Sequence, residues 1–154
     1  MAAQGTFYDP TIVCNLSAEF IAERERRIAE LGLDEDPRVL EGRVLVAFAD
    51  ERSPERAAIQ RDVLRRALDA GVKIVTGGDS NPAGEIGLLE IESLVFAGMT
   101  EMEVLVAATR NSAEMNGVLE EVGTLETGKI ADLIVIAADP LEHISNLRRL
   151  EMVF

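Results

Sequence analysis

One unit in the middle of the chain constrains the fold more than any other. Ser53-Pro54 opens a stretch running to about Ala70, in which Ile59, Val63, Leu64, Ala67 and Leu68 form a wide apolar stripe. A serine followed by proline is a helix start, because proline lacks only an N–H that the first turn leaves unpaired anyway. Gly71 then stops the helix, and Val72-Lys73-Ile74-Val75 follows at once as a short apolar strand. A turn-rich loop, Thr76-Gly77-Gly78-Asp79-Ser80-Asn81-Pro82, leads into another helical stretch from about Glu85 to Ala97, ended by Gly98. Helix, strand, loop and helix in immediate succession is the signature of an α/β protein with parallel strands.

The rest of the chain fits that alternation. Thr11-Ile12-Val13-Cys14 reads as a buried strand, with Pro10 before it. Ser17 caps a helix from about Ala18 to Leu31, ended by Gly32, with Ile21, Ile28 and Leu31 on one face. Arg24 to Arg27 read as a solvated charged face of that helix. The acidic stretch from Asp34 to Pro37 is turn-like, and Val44 to Phe48 reads as a strand or a buried turn. Thr100 and Glu103 form a capping box for a helix to about Ala108, and a further helical turn covers Ser112 to Met115. Beyond Gly117 the character changes. Ala131 to Ile136 and Leu150 to Phe154 read as strands of a small β unit.

Composition excludes several classes of function. With 154 residues and 47% hydrophobic side chains the chain can bury a core. Its net charge of −13 argues against nucleic acid, which needs a basic face, and against an anionic membrane surface. No apolar run approaches the roughly 20 residues of a membrane span, and the first residues lack the pattern of a secretory signal, so a cytoplasmic location is expected. The single cysteine, Cys14, can form no internal disulfide and reads as a small buried hydrophobe. The single histidine, His143, lies far along the chain from the loop at 76–82 and reads as a surface or structural residue. A catalytic zinc takes about three protein ligands, mostly histidine, so this count limits the chemistry severely.

Asp79 is the candidate catalytic and metal-binding residue. It follows the strand at 72–75, and ligands in parallel α/β proteins bind beyond the carboxyl ends of strands. A carboxylate there can contact a metal or take a proton from an attacking water. From the residues alone it reads more readily as the cap of the turn Asp79-Ser80-Asn81-Pro82. A phosphate-cradling loop fits poorly, since no Gly-Lys-Ser/Thr follows and an aspartate repels phosphate. Glu85, Glu90 and Glu92 read as solvated residues of the next helix, Glu85 favoured by the dipole at its N-terminus. No residue can be named for substrate binding.

The segment Ala70-Gly71-Val72-Lys73-Ile74-Val75-Thr76-Gly77-Gly78-Asp79-Ser80 resembles the eighth-strand region of the amidohydrolase superfamily, in its imidazolonepropionase-like and Xaa-Pro dipeptidase-like branch. Leu94 to Thr100, Ala107 to Ala113 and Gly123 to Val135 resemble the segments that follow it there, and Met1 to Val13 resembles an earlier barrel segment. The resemblance implies the C-terminal part of a (β/α)8 TIM-type barrel, residues 1–116, followed by strands of a small composite β-sandwich, residues 117–154. It implies metal-dependent hydrolysis of C–N bonds in small amide, cyclic amide or dipeptide substrates, with zinc as the expected metal. By position, Asp79 is then the eighth-strand aspartate that contacts the metal and moves the proton of the attacking water. The family's His-x-His pair, mid-barrel lysine or carboxylate and later histidines have no counterpart, and Ala83 stands where related enzymes carry a histidine. The chain is therefore expected to be a fragment, inactive and without metal on its own, and to self-associate through uncovered apolar faces. Two alternatives remain open. One is a non-catalytic oligomerisation or binding module. The other is a carboxylate-only cation site of Asp79 with Glu85 or Glu90.

Overall fold

A computed structural model describes residues 4–47, 54–79 and 83–154. Strand β1 (Phe7–Tyr8) pairs in parallel with β2 (Lys73–Ile74), Phe7 opposite Lys73 and Tyr8 opposite Ile74. Val75 N–H donates to the Tyr8 carbonyl at 3.0 Å, extending the pairing by one residue. Among the described residues, three helices run between the two strands, α1 (Ala18–Leu31), α2 (Pro37–Ala47) and α3 (Pro54–Asp69). Parallel strands need such a crossover, because the chain must return to its starting end. After β2 come α4 (Ala83–Phe96) and a long helix built from α5 (Glu101–Val106), a π turn at Ala107–Asn111, and α6 (Ser112–Met115). The tail closes as an antiparallel pair, β3 (Ile134–Ile136) with β4 (Leu150–Val153). The chain is thus mixed α/β, as the alternation predicts.

Several local expectations hold for the reasons given. The Ser17 side chain accepts from Phe20 N–H, and Gly32 ends α1 in the left-handed region at φ 68°. Thr100 and Glu103 form the reciprocal capping box. The N-cap position expected at Ser53, and the loop residues Ser80, Asn81 and Pro82, lie outside the described residues.

Other expectations are overturned. Thr11 to Cys14 is not a strand. The strand lies earlier, at β1, with Pro10 after it, and Ile12–Asn15 form a 3-10 turn. Thr11 is left-handed at φ 45°, and the N–H groups of Ile12 and Val13 are taken by the Glu90 carboxylate rather than by a neighbouring strand. The Val44 stretch is helical through Ala47, as the end of α2; Phe48 lies outside the described residues. The helix starts right after the acidic turn, where Asp36 accepts from Arg38 N–H at 2.9 Å. On α3 the inward face carries Ala57 and Leu64, while Ile59 and Val63 point outward. The apolar stripe on that helix is wider than the face the core covers. The strand read at 131–136 is confined to β3.

Two apolar clusters hold the elements together. Ile12, Leu64, Ile74, Leu94, Met99, Val104 and Ala107 tie α3, β2, α4 and α5 around the end of β1. Val13, Leu16, Phe20, Ile86 and Leu89 tie α1 to α4, with Phe20 edge-on to Phe96 at 5.5 Å between ring centres. Leu64, Leu89 and Leu94 are fully buried, each contributing about 2 kcal/mol of transfer free energy. Cys14 packs partly buried against the second cluster.

Candidate functional site

The parallel pairing of β1 and β2 brings their carboxyl ends side by side. Asp9 follows β1 directly, and Thr76-Gly77-Gly78-Asp79 follow β2. Asp9 accepts from Thr11 N–H at 3.3 Å and from Thr11 Oγ1 at 3.2 Å. Its carboxylate lies against the Gly77 backbone so closely that a Cβ on Gly77 would fall 2.0 Å from Oδ2. Gly78 is packed as tightly on α4, where a Cβ would meet Ile86 Cγ2 at 1.9 Å. The two glycines are therefore fixed by close approach, and Asp79 is delivered at the strand end with its residue exposed to solvent.

Asp79 has φ 47°. Together with Thr11 it makes the two non-glycine residues with positive φ among those described. Left-handed backbone in a residue with a side chain costs about 1–2 kcal/mol, and such strain concentrates at functional sites. Both strained residues flank the ends of the two paired strands. That coincidence was not legible from the sequence, since a positive φ at threonine has no sequence signature. Asn111, in the π turn, donates its side-chain amide to the Ile74 carbonyl at 2.9 Å and ties the long helix to β2 just below this end.

The glutamates of α4 are not solvated. Glu85, Glu90 and Glu92 are all buried. Glu85 and Glu92, seven residues apart on one face, share two arginines. Arg148 donates to Glu85 at 2.9 and 3.0 Å and to Glu92 at 2.8 and 2.8 Å, and Arg24 donates to Glu85 at 2.9 Å. Arg24 is itself buried on α1, on the stripe Phe20-Arg24-Ile28, and not part of a solvated face. Burial alone would lower the Arg148 pKa, but the Glu92 and Glu85 carboxylates more than reverse this and hold it above its ordinary range. Gly42 makes room for the cluster: a Cβ there would lie 2.3 Å from Glu85 Oε1. The sequence signal for this network was present but weak, two glutamates at i, i+7 on a helix otherwise rich in apolar residues.

Glu90 does something different. It accepts from Ile12 N–H at 3.0 Å and from Val13 N–H at 2.7 Å, one bond to each carboxylate oxygen. Burial pushes its pKa up to about 7, against the opposing pull of the two N–H groups, and the nearby Asp9 charge adds to the rise.

These commitments decide the carboxylate-only cation site. Glu85 is held by two guanidinium groups and Glu90 by two backbone amides, so neither offers a free oxygen to join Asp79. No group of three or more His, Cys, Asp or Glu able to hold a metal is found among the described residues. The donors present around Asp79 therefore do not by themselves fit a divalent metal. His143 is structural, as expected: its Nδ1 accepts from Ser145 N–H at 3.2 Å and starts the turn Ile144–Arg148, and burial lowers its pKa. A cavity of about 150 Å³ lies between α1, α4 and this turn, lined among others by Phe20, Arg27, Phe96 and His143, with Asp79 not among its lining residues. No helix among the described residues is long and apolar enough to cross a membrane.

A parallel strand pair with a strained aspartate at its carboxyl end, followed by helices and a small β tail, defines an α/β protein with a candidate site at the strand ends. The model of the amidohydrolase family matches residues 1–154, and the chain belongs to that family. Its relatives fall in the imidazolonepropionase and Xaa-Pro dipeptidase branch. The imidazolonepropionase of Geobacillus kaustophilus is 41% identical over 75 residues, 46% of this chain and 18% of that enzyme. The imidazolonepropionase of Thermoplasma acidophilum is 35% identical over 97 residues, 58% of this chain and 22% of that enzyme. A crystal structure of a Xaa-Pro dipeptidase with methionine bound in its active site superposes with a TM-score of 0.67 at 29% identity, covering 100% of this chain and 34% of that one. The chain thus spans about a third or less of the length of the relatives it matches.

Proposed function

We propose that this chain forms the last strand-helix units of an amidohydrolase barrel, residues 1–116, and a β segment of its sandwich, residues 117–154. In that role it serves a hydrolase acting on C–N bonds of small amide, cyclic amide or dipeptide substrates. Asp79 is the residue of this chain at the reaction centre, and no residue is assigned to substrate binding. The observation that carries the reading is the position of Asp79: solvent-exposed, left-handed, and past the carboxyl end of β2 behind two glycines that admit no side chain. In this reading the carboxylate orients the attacking water and accepts its proton. The remaining donors for a metal, zinc by resemblance, come from other barrel strands.

The test is complementation. The chain is combined with the preceding barrel segments of the Xaa-Pro dipeptidase relative, and Xaa-Pro hydrolysis is measured with and without added zinc. Turnover that falls at least a hundredfold in Asp79→Asn supports the assignment. Equal turnover with asparagine at that position would sink it.

One observation favours a second reading, a non-catalytic binding or oligomerisation module. Ile134, Met152, Val153 and Phe154 on the β3–β4 pair are all more than half exposed. Ile134 and Val153 are partners on one face of the pair and Met152 lies on the other, so apolar side chains are uncovered on both faces, and such surface supports self-association. Light scattering on the isolated chain distinguishes a defined oligomer from a monomer.

A further inference from the structure

The cavity of about 150 Å³ between α1, α4 and the turn Ile144–Arg148 has no part in the strand-end site, and Asp79 does not line it. Its walls are of two kinds. Phe20, Val95, Phe96 and Ile144 form an apolar side. Arg24 and Arg27, one turn apart on α1, and His143 form a polar side. Both arginines keep a donor unmet: their Nε–H groups are buried and have no acceptor among the described residues. The Arg24 side chain is 1% exposed, and its Nη1 and Nη2 are spent on Glu25 and Glu85. A Glu92 oxygen lies 4.0 Å from its Nε, beyond hydrogen-bond reach. On Arg27, Nη1 is spent on Glu30, and Nη2 reaches Asn146 Oδ1 only at 3.5 Å, the limit of a hydrogen bond. The Nε and Nη2 edge of Arg27 is therefore almost unused.

We propose that this cavity is a binding site for a small monocarboxylate with an apolar body. The carboxylates already on the wall do not fill the gap. Glu23 is bonded through both oxygens to Arg26, and Glu92 through both to Arg148. His143 accepts at Nδ1 from Ser145 N–H, so its neutral ring carries the proton on Nε2, a third donor on the wall. The charged wall thus holds more donors than acceptors that reach them, and a buried donor without a partner is costly. A carboxylate accepts both parallel N–H bonds along one edge of a guanidinium, which a single carbonyl oxygen does not. The apolar side favours a hydrocarbon body over water or an inorganic anion. A cavity of about 150 Å³ with apolar lining takes a ring the size of benzene. Arg27 and His143 are partly exposed, so a ligand has a way in past them.

The test titrates benzoate into the full chain at neutral pH. NMR follows the Ile144 and Ser145 amides and the His143 ring protons. Expected is saturable binding, with the shifts confined to residues around the cavity. Arg27→Gln should weaken it at least tenfold, while Arg66→Ala, an exposed arginine of α3, should leave it unchanged. Benzamide keeps the ring but offers one carbonyl oxygen and no charge, and should bind at least tenfold more weakly. Inorganic phosphate, an anion without a hydrocarbon body, should do the same. No saturable shift by about 10 mM benzoate would overturn the proposal. Benzamide binding as well as benzoate would remove the arginines from the site, and phosphate binding as well would leave an adventitious ion only; either result sinks it. If Arg27→Gln does not fold, the three ligands compared on the unaltered chain still decide the matter. No readout involves Asp79, metal or hydrolysis, so failure here is separate from failure of the hydrolase reading.

Discussion

Removing Arg148 is the sharpest test of how the tail is fastened to the α/β body. Its guanidinium makes four short charge-assisted bonds, two to Glu85 and two to Glu92, with all three side chains buried. Arg148→Ala leaves two buried carboxylates facing one remaining guanidinium. Arg24 reaches Glu85 at 2.9 Å but Glu92 only at 4.0 Å, so Glu92 loses nearly all its compensation. Breaking a buried pair from one side costs about 3–5 kcal/mol, because the penalty is an uncompensated charge rather than the pair itself. For a chain of this size that lowers Tm by on the order of 10 °C. Urea unfolding followed by circular dichroism measures it, with Arg26→Ala as the control. Arg26 is exposed and pairs with Glu23 and Glu30 on the surface, where such pairs are worth about 0–1 kcal/mol. The double variant Arg148→Met, Glu92→Gln removes both charges and should recover much of the loss. An Arg148→Ala cost as small as that of Arg26→Ala would refute the claim that the network is buried and coupled.

Two further outcomes follow from the same neighbourhood. Gly42→Ala pushes a methyl group to within 2.3 Å of Glu85 Oε1 and 2.8 Å of Arg24 Nη2, and should destabilise the chain by about 1–3 kcal/mol in the same unfolding assay. Glu90 sets a pH dependence of stability. Its folded-state pKa is raised above the ordinary 4.5 to about 7, so the folded chain binds the proton more tightly than the unfolded one. Its contribution is therefore greatest below pH 4.5, falls as pH rises to about 7 and is flat above, a change of about 3 kcal/mol at most. Stability curves of wild type and Glu90→Gln between pH 4.5 and 8 should diverge by that slope; parallel curves would count against it.

Much of the fold was legible because local chemistry enforces it. Ser17 and Gly32 bracket α1, Thr100 and Glu103 start α5, and Gly71 separates α3 from β2. Each acts through bonds or dihedrals within a few residues. Asp79 was legible as a candidate for a similar reason, since a glycine pair followed by an acid after a short apolar strand is a local pattern. The failures share one cause. Thr11 to Cys14 reads as a strand until a carboxylate from 77 residues away takes its amides. Arg24 and Glu85 read as surface charges until Arg148 arrives from the tail. Val44 to Ala47 looks apolar enough for a strand, yet it continues a helix already started at Pro37.

The sequence by itself determined the alternation of elements, most of their ends, the α/β class and the family, all carried by near neighbours and ordered motifs. Only the tertiary structure decided where the buried charges go, because an ionised side chain enters a core only where distant partners meet it. It also decided what Asp79 has for company. Glu85 and Glu90 lie on the helix that follows it in the chain, but both are already satisfied by groups brought from elsewhere. Of the three carboxylates, Asp79 alone remains open to solvent at the strand end.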